Sequence, residues 1–327
     1  MEKKKVLISR IFPELAADLL EKSGFDITAW EKDRPMTQEE LIHQAKNHNA
    51  LFCTVTDKID KKFLTACSHL DLISQFAVGY DNIDIAEATK LGIPVGYTPG
   101  AMSDATADTA FGLMIVTARK MLYLHKSIIN NKWSYFNPVA NLGVELKNKT
   151  LGIYGLGRIG LEMAERCKGA YNMEIIYHNR KPNFLIAKKV NAEFVSFDDL
   201  LKKSDIVSVH CSLNKETEGI FNRKVFNRMK KTAIFINTSR GLVHNELDLI
   251  DALNSGEIWG AGLDVTNPEP MQSDNPLLSM ENVAVVPHIG SGTFEARNEM
   301  ARLTARNIIE FYKNHHVPHL VNPEVMS

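Results

Sequence analysis

Residues 150–160, T-L-G-I-Y-G-L-G-R-I-G, constrain this chain more than any other stretch. An apolar run enters, glycines follow at Gly155, Gly157 and Gly160, and Leu161, Met163, Ala164 and Cys167 leave at helical spacing. That order reads as strand, tight turn, helix. Each glycine has a role in such a turn. Gly155 permits the sharp reversal, Gly157 lets the backbone approach a pyrophosphate, and Gly160 lets the helix lie close to the strand. The helix start then offers unpaired N–H groups and the positive end of its dipole to phosphates. A G-x-G-x-x-G alone is a weak signal, but one that follows a strand and opens a helix meets the structural condition for dinucleotide binding.

The rest of the chain keeps a strand–helix rhythm. Val6, Leu7 and Ile8 form a short buried-strand run, and residues 13–22 repeat Leu15, Ala16, Leu19 and Leu20 at helical spacing before Gly24, a C-cap candidate. Thr37 and Glu40 have the spacing of a capping box that opens a helix over 38–47. Strand-like runs recur at 50–55, 70–76 and 94–97, with helices at 61–66 and 83–91. Ser103 is read as the cap of one long helix over 104–130. Its stripe of Ala107, Phe111, Met114, Ala118, Met121 and Ile128 is wider than a single neighbour requires, which points to a subunit contact. Beyond the glycine turn, strands are expected at 174–177, 205–210, 233–237, 260–265 and 283–286. Helices are expected at 161–168, 197–203, 223–229, 245–255 and 294–314. The fold class is α/β, with two doubly wound parallel sheets.

A length of 327 residues suits about two such domains. The net charge of −1 gives no bulk attraction to nucleic acid or to an anionic membrane. Cys53, Cys67, Cys167 and Cys211 lack C-x-x-C spacing and read as reduced, structural thiols, which suits a cytoplasmic protein. No signal peptide is expected, and the most apolar helical stretch, 109–118, is too short to span a bilayer. His315, His316 and His319 read as a polar chain end, so no metal is expected.

In a dinucleotide fold, an acidic residue about 20 positions past the glycines usually grips the ribose 2′-OH. Here the second strand ends Tyr177-His178-Asn179-Arg180-Lys181, without a carboxylate. Arg180 offers a fork for a 2′-phosphate, with donors from Asn179 and Lys181 beside it. The expectation is NADP(H) in preference to NAD(H).

Three polar residues follow predicted strand ends, where ligands bind in open α/β sheets. Arg240 follows I-F-I-N-T-S, Glu269 lies in T-N-P-E-P after Asp264-Val265, and His288 follows V-V-P. Singly each is ordinary; together they suit carbonyl reduction. An imidazole titrates near physiological pH and can donate a proton to an oxygen gaining charge. A neighbouring carboxylate orients such a ring and favours its charged form. A guanidinium fork can hold a substrate carboxylate. His288 is therefore the candidate acid/base, Glu269 its partner and Arg240 the clamp.

These residues and several further motifs resemble the D-isomer-specific 2-hydroxyacid dehydrogenases along essentially the whole chain. The motifs are V-G-Y-D-N-I-D (78–84), T-P-G (98–100), D-A-T-A-D (104–108), G-L-G-R-I-G (155–160), I-N-T-S-R-G (236–241), G-L-D-V (262–265) and P-H-I-G-S (287–291). The resemblance implies the same Arg240, Glu269 and His288 roles, and substrate contacts from Val78 and Gly79. It implies cofactor contacts at Thr106, Arg158, Ile159, Ser239, Arg240, Asp264 and Gly290. With the glycine loop and residues 178–181, the expected cofactor set also takes in Cys211, Ser212, Thr238 and His288. A homodimer built through the nucleotide-binding domains is implied too, with the aromatic run from Trp133 to Phe136 a candidate cover for a partner's site.

Within the family, N-P-L-L-S-M (275–280), P-H-I-G-S and the missing acid near His178 resemble the glyoxylate/hydroxypyruvate reductases, some of which reduce 2-ketogluconate. The chain departs from the family at H-C-S-L-N (210–214), where H-x-P-L-T is usual. Ser239 stands where Ala is usual, and Thr266 where an aromatic is common. The implied layout is a substrate domain over 1–100, a nucleotide domain over 101–293, and 294–327 returning to the substrate domain. Hinges are expected near Pro99 and Gly292. The competing readings are an NAD-linked relative acting on D-lactate, formate or phosphoglycerate, and a dinucleotide-sensing co-repressor on the same fold.

Overall fold

Near-continuous apolar runs in short strands, whose side chains point to the two faces in turn, give each central sheet two buried faces, and helices cover both. The computed structural model describes residues 3–326. They divide into two units, one running to Met102 and resuming at Gly292, the other Ser103–Ser291.

The first unit contains β1 (Lys5–Ile8), α1 (Glu14–Lys22), β2 (Asp26–Ala29), α2 (Gln38–Ala45), β3 (Ala50–Cys53), α3 (Lys61–Ala66), β4 (Leu72–Gln75), α4 (Ile85–Lys90) and β5 (Val95–Gly96). The second holds α5 (Ser103–Ala118), α6 (Met121–Ile129), β6 (Thr150–Tyr154), α7 (Arg158–Tyr171), β7 (Glu174–His178), α8 (Phe184–Val190), β8 (Glu193–Phe194) and α9 (Phe197–Lys203). It continues through β9 (Ile206–Val209), α10 (Arg223–Phe226), β10 (Ile234–Asn237), α11 (Glu246–Asn254), β11 (Gly260–Leu263) and β12 (Val283–Val285). The chain then returns to the first unit as α12 (Phe294–Asn314).

Both sheets are parallel throughout. Their orders are β2-β1-β3-β4-β5 and β12-β11-β10-β9-β6-β7-β8. In the larger sheet Leu151, Ile153, Ile175, Tyr177, Ile234 and Ile236 join one core with residues of α5 and α7. Ile176, Val207, Val209, Phe235 and Leu263 join the opposite core with residues of α9, α10 and α11. Each of these side chains, fully withdrawn from water, contributes roughly 1.5–3 kcal/mol. The smaller sheet divides likewise: Leu7, Leu51 and Ile73 face one core, and Val6, Phe52 and Leu72 face the other with Met300 and Ile308 of α12.

Thr37 caps α2 as its spacing predicts. Its side chain accepts from Glu40 N (3.2 Å), and its own N–H donates to the Glu40 carboxylate (2.9 Å). The single helix expected over 104–130 is instead two. Lys120 takes a left-handed φ of 54° between α5 and α6. The Ala118 carbonyl, which would continue the helix, accepts from Val144 N (3.0 Å). On the expected stripe, Ala107, Met114 and Ala118 are buried, whereas Met121 and Ile128 stay exposed. The two-residue strand β8 and the four-residue strand β2 were not expected, since neither carries an apolar run.

Because all strands of the larger sheet are parallel, their C-terminal ends share one edge. That edge carries Gly155 after β6, His178 to Lys181 at β7, Cys211 after β9, Thr238 to Arg240 after β10, Asp264 after β11 and His288 to Gly290 after β12.

Candidate active site

The turn after β6 requires glycine. Gly155 has φ +100°, and a Cβ there would lie 2.8 Å from Cys211 N. A Cβ at Gly160 would lie 2.8 Å from the Gly155 carbonyl oxygen and 3.0 Å from Ile153 Cγ2, so α7 approaches β6 only without a side chain. Over Gly157 nothing lies within 4 Å of an added Cβ, and no side chain caps α7. Arg158 and Ile159 open that helix. An uncapped helix start beneath open space fits the pyrophosphate of a nicotinamide dinucleotide.

The residues at the end of β7 divide in role. Asn179 Oδ1 accepts from Leu156 N (2.6 Å) and its Nδ2 donates to Leu156 O (3.3 Å), so this side chain braces the glycine turn. His178 Nδ1 lies 2.9 Å from the Val195 carbonyl, and the ring stacks beside Tyr154 and Phe194. Arg180 and Lys181 are exposed. Arg180 lies 3.6 Å from Glu216, on the loop after β9. Burial pushes the Cys211 thiol up to about 12, so it stays protonated. The Ser212 carbonyl accepts from Thr217 Oγ1 (2.8 Å).

His288 and Glu269 come together directly: His288 Nδ1 lies 2.5 Å from Glu269 Oε1. The His288 backbone is left-handed, at φ 51°, a conformation that costs a non-glycine residue energy and needs support. The support is Asp264. Its carbonyl accepts from His288 N (2.9 Å), and its buried carboxylate accepts from Ile289 N (2.6 Å) and Gly290 N (2.9 Å). Burial pushes the Asp264 carboxyl up, against those two donors. Thr106 Oγ1 completes the brace by donating to the Gly290 carbonyl (3.1 Å).

Burial alone would raise the Glu269 carboxyl. The His288 ring, the Thr266 N–H and the Arg240 guanidinium outweigh it, and Glu269 is held below the usual carboxylate range. Glu269's loop is fastened by Glu246, whose carboxylate accepts from Asn267 N (3.2 Å) and Asn275 Nδ2 (2.6 Å). Arg240 Nη1 donates to the Ser239 carbonyl (2.8 Å). A Cβ at the next residue, Gly241, would land on the Thr266 carbonyl oxygen. Only glycine lets the Arg240 and Glu269 loops lie this close.

Val78 and Gly79 belong to the first unit, in the loop after β4, where Gln75 Nε2 donates to the Gly79 carbonyl (3.2 Å). The sequence reading missed Asn237 and His244. Asn237 Nδ2 donates to the Arg240 carbonyl (2.9 Å) and lies 3.1 Å from His244 Nδ1. Thr238 Oγ1 lies 3.5 Å from His210 Nδ1. The only sequence sign of Asn237 is a polar residue closing an apolar strand.

Two outcomes follow for stability. Gly155→Ala forces a side chain into the left-handed region and onto the β9 exit, which should lower unfolding stability by about 1–3 kcal/mol in denaturant titrations. Burial holds His244 down to about 4, against 6.5 when unfolded. Between those values the unfolded chain binds the extra proton, so stability falls as pH falls from 6.5 to 4, by on the order of 3 kcal/mol. Urea midpoints across that range should show this slope, and His244→Gln should lessen it, leaving the part from His210, which burial also holds down to about 4.

The profile of the D-isomer specific 2-hydroxyacid dehydrogenase NAD binding domain matches residues 111–290. The chain is 44% identical to a glyoxylate reductase of Thermococcus litoralis, over 99% of this chain and 98% of that protein. A solved structure from Thermus thermophilus superposes with TM-score 0.90 at 34% identity, covering 97% of this chain and 99% of that one. The NADPH-dependent glyoxylate/hydroxypyruvate reductase of Sinorhizobium meliloti, solved with NADP and malonate, gives TM-score 0.84 at 26% identity, covering 99% and 98%. With a dinucleotide-type glycine turn and a His–Glu pair at the strand ends, the chain belongs to the D-isomer specific 2-hydroxyacid dehydrogenases, NAD(P)-dependent enzymes of small 2-oxo and 2-hydroxy acids.

Proposed function

We propose that this protein reduces glyoxylate or hydroxypyruvate, with 2-ketogluconate a larger candidate, to the D-2-hydroxy acid using NADPH. The observation that carries the reading is the His288–Glu269 contact with Arg240 beside it. Arg240 holds the substrate carboxylate and thereby places the 2-oxo carbon. The bound nicotinamide supplies hydride. As charge grows on the carbonyl oxygen, His288 gives it a proton from Nε2, the ring nitrogen away from Glu269. Glu269, kept anionic, holds the ring in that orientation and offsets its positive charge.

The NADPH preference rests on the end of β7. A carboxylate about 4 Å from a 2′-phosphate would cost several kcal/mol at a partly exposed site, and the residues at 178–181 include none. Since Asn179 and His178 are engaged with Leu156 and Val195, recognition of that phosphate falls to Arg180 and Lys181. The NADPH-dependent Sinorhizobium reductase supports the same cofactor reading, and the Thermococcus glyoxylate reductase supports the substrate reading. The homodimer reading is supported by the exposed apolar side chains Ile128, Ile129, Trp133, Tyr135, Phe136, Val139 and Leu142, which a second copy would cover.

Initial rates on a panel of 2-oxo acids should give higher kcat/KM with NADPH than with NADH; the reverse order would refute the cofactor assignment. Arg180→Ala should lower kcat/KM for NADPH about tenfold or more and leave NADH nearly unchanged. His288→Ala should lower kcat on the order of a hundred- to ten-thousand-fold, with folding intact by circular dichroism. Sedimentation should give twice the chain mass of 36.7 kDa, and a monomer at micromolar concentration would contradict the dimer.

A further inference from the structure

Asn237 lies at the end of β10, three residues before Arg240, and is wholly buried. A buried amide has two donor and two acceptor positions to satisfy, and here all four are used. Oδ1 accepts from Ser239 N (2.9 Å) and Ser239 Oγ (2.8 Å). Nδ2 donates to the Arg240 carbonyl (2.9 Å) and faces His244 Nδ1 (3.1 Å). A carbonyl can only accept, so the amide has one orientation. His244 must then present a lone pair from Nδ1, which requires the neutral ring. The result is a closed tie that fixes the main chain on both sides of Ser239 and so sets where the Arg240 side chain departs. On its far side, Gly241 sits against the Thr266 carbonyl, which leaves Arg240 little room to relax if the tie is lost.

We propose that Asn237 is a positioning residue for the substrate clamp: it acts on the reaction through Arg240, by holding the turn from which the guanidinium reaches the 2-oxo acid carboxylate. This rests on the role assigned above to Arg240. Asn237 does not touch substrate in this account. It decides whether the fork meets the carboxylate squarely, and a misplacement of about 1 Å at such a site can cost a hundredfold.

A double-mutant cycle with Asn237→Asp and Arg240→Lys tests it, read as kcat/KM for glyoxylate at saturating NADPH. Aspartate has nearly the shape of asparagine and keeps both acceptor contacts to Ser239, but it turns an oxygen toward the Arg240 carbonyl. Asn237→Asp should lower kcat/KM about ten- to a hundred-fold, with about the same dissociation constant for NADPH. Added to Arg240→Lys, it should cost about twofold or less, because the group it positions is already lost. Multiplication of the two factors, or a loss that falls on NADPH binding instead, would overturn the proposal. If Arg240→Lys itself leaves kcat/KM unchanged, the clamp assignment fails first, which is a separate result. The same cycle with Asn237→Ser repeats the test without a buried charge, should Asn237→Asp fail to fold.

Discussion

The site depends on one buried carboxylate. Asp264 leaves β11 with its side chain turned toward the exit of β12, and there it accepts two consecutive backbone N–H groups. Those bonds, with the His288 N–H on its own carbonyl, hold His288 left-handed against the preference of any residue with a Cβ. On its other side the Asp264 N–H donates to the Asn237 carbonyl (3.0 Å), where the Arg240 turn begins. One residue therefore joins the strand exits that carry His288 and Arg240. Aligned amide donors offset part of the cost of keeping that carboxylate out of water, although burial still pushes its carboxyl up.

Electrostatics then sets Glu269 and His244 apart. Glu269 is half-withdrawn from water, which alone would favour its neutral form. It stays ionised because an imidazole, a main-chain N–H and a guanidinium face it. His244, fully enclosed, is driven the other way by burial and stays neutral. Two histidines of the same unit thus stand in opposite surroundings: His288 faces a carboxylate, and His244 faces the Asn237 amide.

Much of this was legible in the sequence. The glycine turn, the alternation of strands and helices, and the polar residues just past strand ends follow from local chemistry and the geometry of parallel sheets. What was hidden depends on contacts distant in sequence. The break after Ala118 follows from Val144, which takes the carbonyl the helix needed. β2 and β8 are edge strands whose residues stay largely exposed, so no apolar run announces them. Asn179 read as a phosphate donor because it follows β7, yet its amide closes on Leu156. Asn237 was passed over because a lone asparagine at a strand end looks like turn chemistry until its four partners are known.

The most direct test is a crystal structure with NADP and oxamate, an isosteric and unreactive analogue of a 2-oxo acid. The account predicts the Arg240 guanidinium forked onto the oxamate carboxylate and His288 Nε2 about 3 Å from the oxygen at the 2-position, with Glu269 still on Nδ1. Oxamate bound away from Arg240, or with His288 turned from its oxygen, would contradict it.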